Sequence, residues 1–398
     1  MKRAFIPVVS MLAIQVMISL SVLSLGVMMP VVASDLAIDA KLVGIFTAII
    51  YAVATLVALA AAGPIVRVGA VRVCQLALLM AAIGLALNSL ALVATTVAAV
   101  LFIGAAQGPI NPASAHILAQ RVPREWFGTV FSLKQTGTPI GFALAGVIFP
   151  VLLQFVGWRG ASLVAAGMLA VSALVVEPLR PSLDAFAYSS RTSSGIWRSI
   201  RFVMSHDQLR VLGCSAFVYV IAQHTFTFYL VTYLYEHCGM SISRAGALLS
   251  LSQLSGTAVR LLSGRAGDRI PRLKLLGWTG IGMMAGCVAV ALLRSDTPFW
   301  MITLAVMGYG SVVISWNGTS QAEFAHLSPP GEAAAVAAVQ TALAFSGAVF
   351  GPPLFALLAS RFSYRCAFFF VAACVLAVAV WQIASARNSR KALQVSER

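Results

Sequence analysis

Residues 111–159 and 317–365 spell one pattern twice, and both copies are embedded in long apolar sequence. Asn111 answers to Asn317, Ser114 to Ser320, Gln135-Thr136 to Gln340-Thr341, Gly146 to Gly351 and Trp158-Arg159 to Tyr364-Arg365, with one-residue slips. Two segments written alike fold into like frames, so the chain is expected to build two pseudo-symmetric halves with a pathway between them.

The apolar runs say what kind of frame this is. Of the 398 residues, 60% are hydrophobic and 10% charged, a balance no soluble domain could display on its surface. A helix needs about 20 apolar residues to cross about 30 Å of hydrocarbon. Twelve such runs are present: residues 6–32, 42–62, 73–93, 97–118, 127–155 and 160–176, then 211–234, 245–263, 275–293, 299–325, 333–358 and 366–383. They are continuous, not alternating, which excludes a spanning barrel. The predicted fold is an all-α membrane protein of twelve transmembrane helices in two six-helix lobes. Residues 1–177 form the first lobe, 178–208 a polar linker, 209–386 the second lobe and 387–398 a tail. Within the linker, residues 188–201 have the pattern of a short amphipathic helix on the lipid surface.

The net charge of +15 would fit nucleic acid, but its placement does not. Counted along the predicted topology, the side holding both termini and the linker collects nineteen Lys and Arg, the other side six, and Lys134 and Arg260 lie inside spans. That asymmetry predicts that both termini are cytoplasmic, and the location expected is a bacterial inner membrane. The start, Lys2-Arg3 and then an apolar run to Val31-Val32-Ala33, has the outline of a signal peptide; the run is long enough to span and completes the twelve. The cysteines 74, 214, 238, 287, 366 and 374 form no C-x-x-C pair, so neither a disulfide framework nor a metal site is expected. No phosphate-binding loop or nucleophile motif occurs, so no enzyme and no cofactor is predicted, and ATP coupling is unsupported.

One loop is specific enough to carry a resemblance. Gly264-Arg265-Ala266-Gly267-Asp268-Arg269-Ile270-Pro271-Arg272-Leu273-Lys274 is similar to the motif G-x-x-x-D-R-x-G-R-[RK] of the major facilitator superfamily, and the likeness extends over nearly the whole chain. The resemblance implies alternating access by two lobes. It also implies a cytoplasmic gate in which Asp268 accepts hydrogen bonds from a neighbouring helix N-terminus or pairs with an arginine, with Gly264, Arg269 and Arg272 around it. The corresponding Gly63 to Arg72 has lost the Asp, so the latch is expected on one side only. Where the family's drug exporters have R-x-x-Q-G in helix 4, this chain has Gly104 to Gly108, and their helix 5 signature is only approximated by Gly137-Thr138-Pro139-Ile140-Gly141. Gly141, Gly351 and Pro352 are gating candidates, as hinges or as sites of close packing.

Charge inside a membrane is expensive unless it faces a cavity or a partner. Arg260 continues a polar stripe of Ser250, Gln253 and Thr257, at helical spacing. Across the repeat, Lys134 answers to Val339 and Arg260 to Leu59, so neither cation is needed by the shared frame. The resemblance packs helix 5 on helix 8, which would bring both to one cavity, and Arg260 fits the helix 8 arginine of the family's nitrate, oxalate and monocarboxylate carriers. Against this, either side chain could snorkel to the headgroups, or Arg260 could pair with Asp268. All twelve carboxylates fall in loops, tails or helix ends, which counts against a cationic cargo. In the resembled family helices 1, 4, 7 and 10 line the pathway, so the resemblance implies neutral lining from Gln107, Asn111 and Ser114 on helix 4, Gln15 and Ser19 on helix 1, His224 and Tyr229 on helix 7, and Trp316 and Asn317 on helix 10. Asn111 and Asn317, as repeat partners, also fit a structural role at a kink near Pro112.

The sequence therefore predicts a monomeric secondary transporter whose partner is a small organic anion, a carboxylate, held by Arg260 and Lys134. A coupling proton or a counter-substrate could drive it. The alternatives are an exporter of hydrophobic or drug-like compounds, in which both cations belong to the gate, and a sensor or structural subunit that does not transport.

Overall fold

In lipid each backbone polar group must be satisfied within its own segment, and these apolar runs accordingly become helix. The structure, a computed structural model, describes residues 2–37, 42–184, 196–240 and 242–396. Its helices are α1 (Lys2–Asp35), α2 (Leu42–Ala60), α3 (Ala62–Val68), α4 (Ala70–Asn88), α5 (Val93–Gln107), α6 (Ile110–Arg121), α7 (Phe127–Gln135), α8 (Gly137–Val176), α9 (Arg180–Leu183), α10 (Ile196–Ser205), α11 (Asp207–Glu236), α12 (Ile242–Gly267), α13 (Arg272–Ala291), α14 (Phe299–Val313), α15 (Trp316–Leu327), α16 (Ala333–Arg361) and α17 (Tyr364–Ser396). The chain is a multi-pass membrane protein.

Among the described residues nine helices are long and apolar enough to cross a membrane, or ten if α2 and α3, bent by 53°, make one span. This is consistent with twelve, because two of the predicted spans are counted differently for physical reasons. Residues 124–183 register as one stretch of 60 residues, yet Gly157 inside it has φ 63° and ψ 179°, so two helices meet there without a loop. The helix α12 is long enough at 26 residues, but the polar stripe through Arg260 lowers its apolar character. The helix α1 runs unbroken through residues 31–33.

Contacts gather the chain into two units. One comprises Met1–Pro123, Leu133–Arg201 and Ser328–Phe345; the other comprises Arg124–Ser132, Phe202–Leu327 and Ser346–Arg398. The first has a continuous apolar core in which Met11, Ile14 and Ile18 of α1 join Leu78 and Leu85 of α4, Phe149 and Leu169 of α8, and Ala334 of α16. In the second, aromatic edges dominate: Tyr233 meets Phe368 at 5.2 Å, Phe226 meets Tyr309 at 4.8 Å and Tyr219 meets Trp316 at 5.7 Å between ring centroids.

Two breaks matter for the site, and they are repeat partners. The fourth predicted span breaks at Gly108–Pro109 between α5 and α6; the tenth breaks at Ile314–Ser315 between α14 and α15. The first break lies ahead of Pro112, which sits in the opening turn of α6 and not at the kink itself. In the linker, residues 188–195 of the expected amphipathic helix lie outside the described residues. The described part, α10, turns Val203 and Ser199 inward and leaves Trp197, Arg198, Arg201 and Met204 exposed, one apolar and basic face suited to a lipid surface. Lys41, Asp39, Arg191, Glu397 and Arg398 also lie outside the described residues.

Candidate functional site

In the first unit, Lys134 closes the short helix α7 and is fully buried. Its ammonium donates to the amide oxygens of Gln15 on α1 at 2.8 Å, Asn111 on α6 at 2.8 Å and Gln135 at 3.1 Å. An ammonium has three protons and no acceptor, so these three bonds use it completely. All three partners are neutral, so the positive charge is oriented but not cancelled. The break at Gly108–Pro109 is what turns Asn111, at the second position of α6, toward it.

The chemistry of that cradle fixes the amide orientation. Because Lys134 can only donate, Asn111 presents its oxygen, and its NH2 group is left as a donor polarised by the adjacent cation. Gln15 spends its own NH2 group on Ser19 Oγ at 3.1 Å. One turn before Asn111, across the break, Gln107 is buried, and its Oε1 has no hydrogen-bond partner among the described residues. A polarised donor and an unsatisfied acceptor thus occur on the same broken helix. Gln135, seen in the sequence only as a repeat residue, proves to be the third acceptor.

In the second unit, Arg260 is also buried, 3% exposed, and donates from Nε at 3.0 Å and from Nη2 at 2.5 Å to the carbonyl of Ile314. That carbonyl belongs to the helix break, where the main chain of α14 runs out of intrahelical donors. Other predicted lining residues have definite positions. Trp316 is buried, and its indole N–H is taken by Gln223 at 3.0 Å. Tyr229 donates to the carbonyl of Pro352 at 3.0 Å. Gln253 reaches Thr227 at 3.5 Å, His224 meets the edge of Phe228, and Asn317 is half-buried.

The loop motif from Gly264 to Lys274 lies wholly in the second unit. Asp268 accepts from the backbone N–H of Gly128 at 2.7 Å and of Thr129 at 3.0 Å, and from the Thr129 hydroxyl. It therefore caps the N-terminus of α7, where free N–H groups and the helix dipole favour an anion. Arg272 lies 3.6 Å from Asp268 and 3.3 Å from Glu323 of α15, and it donates to the carbonyl of Arg124. The carboxylate of Asp268 is thus taken up by α7 and Arg272, not by Arg260, while Arg269 is exposed. Below the cap α7 crosses α12 main chain to main chain: a Cβ on Gly264 would lie 2.6 Å from the carbonyl of Gly128. This is the packing of helix 5 on helix 8 that the resemblance implied.

Gly141 and Gly351 are sites of close packing. A Cβ on Gly141 would strike the backbone of α1 at Val16, and one on Gly351 would lie 2.8 Å from Ile221 of α11. At the far ends of the helices the repeated aromatic-arginine pairs gain a role that the sequence alone did not supply. Trp158 and Arg159 each donate to Asp35 at 3.0 Å, at the end of α1, and Tyr364 donates to Glu236 at 2.9 Å, at the end of α11. The conspicuous repetition of the pair was the available signal; the carboxylates carried none.

Comparison with known proteins agrees with this architecture. A family model described as Major Facilitator Superfamily matches residues 11–348. An uncharacterised MFS-type transporter of Mycobacterium tuberculosis (strain CDC 1551 / Oshkosh) is 25% identical over 275 residues, covering 66% of this chain and 59% of the relative. The nitrite extrusion protein of Bacillus subtilis (strain 168) is 25% identical over 198 residues, covering 50% of this chain and 47% of its own. The matches thus span less than two thirds of the length of these curated relatives. Among solved structures, the human organic anion transporter TETRAN superposes with a TM-score of 0.76 at 15% identity, covering 94% of this chain and 99% of that one. The E. coli fucose:proton symporter superposes with 0.75 at 15% identity, covering 96% and 98%. At such identities the likeness is one of fold.

Proposed function

This chain belongs to the Major Facilitator Superfamily, and on that footing we propose that it is a secondary transporter of a small organic anion, a carboxylate, working by alternating access. The observation that carries the reading is the cradle of Lys134: a buried cation whose partners are three neutral amides keeps its field for something else. An anion is the natural complement, and the polarised NH2 group of Asn111 is the donor it would meet. The unsatisfied Oε1 of Gln107 would accept from a hydroxyl or amine on the same molecule, which favours a hydroxylated or amino-bearing carboxylate over nitrate.

Arg260 is the second cation we assign to the anion. It would exchange the carbonyl of Ile314 for a carboxylate oxygen, a stronger, charge-assisted partner. The name of one compared relative, a nitrite extrusion protein, is in keeping with anionic cargo. In the exporter reading both cations belong to the gate. The contacts of Asp268 run instead through Gly128, Thr129 and Arg272, which makes that reading the weaker. Site residues, coupling ion and a location in the inner membrane with cytoplasmic termini belong to this proposal.

The test is thermal stability of the purified protein against hydroxylated and plain carboxylates, nitrate, sugars and cationic drugs, because a ligand of the folded state raises the melting temperature. One carboxylate class should stabilise the wild type, and Lys134→Gln should weaken its apparent affinity about tenfold or more. Stabilisation by drugs or sugars alone, or equal anion response in Lys134→Gln, would overturn the proposal.

A further inference from the structure

A second basic site lies near the start of α13 and the Arg387 end of α17, away from the Tyr233–Phe368 contact, and neither the transport reading nor the contacts of Asp268 use it. The helices α13 and α17 are held close at Gly277, where a Cβ would lie 2.5 Å from Cγ1 of Ile383. Toward the start of α13 and the end of the span 364–387, a cavity of about 310 Å³ opens between them, lined by Pro271, Lys274, Trp278, Ile383, Ala386 and Arg387.

The arrangement is built from spacing. Lys274 and Trp278 are one turn apart on α13, and Ile383 and Arg387 are one turn apart on α17, so each helix contributes one cation and one apolar side chain to the same cleft. Trp278 is 56% exposed, and Lys274 and Arg387 are exposed as well. Among the described residues neither cation makes an ion pair, and the first turn of α13 adds the positive end of its dipole. Two cations at the edge of two spans, with an indole and an isoleucine directly beneath on the membrane side, match an amphiphile: a phosphate above and an acyl chain below.

We propose that this cleft binds an anionic phospholipid, its phosphate held by Lys274 and Arg387 and its first acyl carbons laid on Trp278 and Ile383. The lipid is a resident of the surrounding bilayer, not a transported substrate, and the site is independent of Lys134 and Arg260.

Native mass spectrometry of the delipidated full chain, titrated with phosphatidylglycerol and with phosphatidylcholine, tests it directly. The wild type should bind phosphatidylglycerol on the order of tenfold more tightly, given two near-surface cations. Lys274→Gln with Arg387→Gln should abolish that preference, and Lys274→Arg should restore it when Arg387 is kept. Quenching of Trp278 fluorescence by brominated phosphatidylglycerol, read as the difference from Trp278→Phe, should vanish in the same double variant. Equal binding of the two lipids by the wild type, or an unchanged preference in the double variant, would overturn the proposal. Displacement of the lipid by millimolar inorganic phosphate would overturn it too, by showing a soluble phosphate site instead.

Discussion

The loops that precede α4 and α13 occupy equivalent places in the repeat, yet each ends beside a carboxylate of different origin. Before α13 the carboxylate is the loop's own Asp268, and it reaches out to cap α7, a segment that comes from the first half of the sequence. Before α4 the motif has no acid, and Asp184 arrives from beyond α8 instead. It accepts from the N–H of Val71 at 2.9 Å and of Arg72 at 3.4 Å, so it caps the very helix the loop begins. Gly69, with φ 104°, leaves the space that this carboxylate fills. Beside it Arg72 pairs with Glu177 at 3.2 Å, and Gln75 donates to the same carboxylate at 2.7 Å. One loop therefore binds a segment foreign to its own half, and the other is sewn into its own. A contact with a foreign segment is one that a conformational cycle can break and remake; a self-cap has no such freedom.

The sharpest way to break this contrast is Asp268→Ala. It leaves two backbone N–H groups at the start of α7 without their acceptor in a site only 12% exposed at the Asp, so stability should fall by about 3 kcal/mol, with transport lost as well. Denaturation midpoints and proteoliposome flux check both. Gly128→Ala should follow at about 2 kcal/mol, because its Cβ is forced into the backbone of Gly264 and the carboxylate of Asp268. Asp184→Ala should cost about 1 kcal/mol, the ordinary value of a helix cap, and leave flux near the wild-type level. If Asp184→Ala stops transport as Asp268→Ala does, the two loops are functionally alike and the contrast fails.

The smallest effect expected is a pH dependence at the other end of the first unit. Hydrogen bonds from Arg159 first, and then from Trp158, hold the carboxyl of Asp35 below its usual range. A carboxyl depressed in the folded state contributes stability that is complete above its unfolded pKa and is lost as pH falls through the folded one. Melting curves from neutral to acid pH should therefore show wild type and Asp35→Asn converging below the normal carboxylate range. Parallel curves would show that the contact contributes nothing.

What the sequence discloses depends on which kind of atom does the work. Apolar run length marks the spans because the bilayer imposes it, and it blurs only where Gly157 joins two helices without a loop and where Arg260 dilutes α12. Asp268 was legible because a spaced motif surrounds it. Asp184 was not: its partners lie more than a hundred residues away, and no pattern couples them. One acceptor of Arg260 is a main-chain carbonyl, which every residue has and none advertises. Lys134 was visible as a charge in an apolar run, and Gln15 and Asn111 as polar residues in theirs. Their convergence depends on a break at Gly108–Pro109, three residues ahead of the Pro112 that the sequence singles out.

The cradle of Lys134 also bears on how the protein is made. A lysine entering the bilayer core costs about 3 kcal/mol on insertion scales. Synthesis proceeds from the N-terminus, and two of its three acceptors, Gln15 and Asn111, precede it in the chain. When Lys134 is added to the chain, the segments carrying Gln15 and Asn111 have already been synthesised. The order of the residues along the chain thus supplies the shelter before the charge, and a circular permutant opened between Asn111 and Lys134 would reverse that order during biogenesis while leaving the finished cradle unchanged.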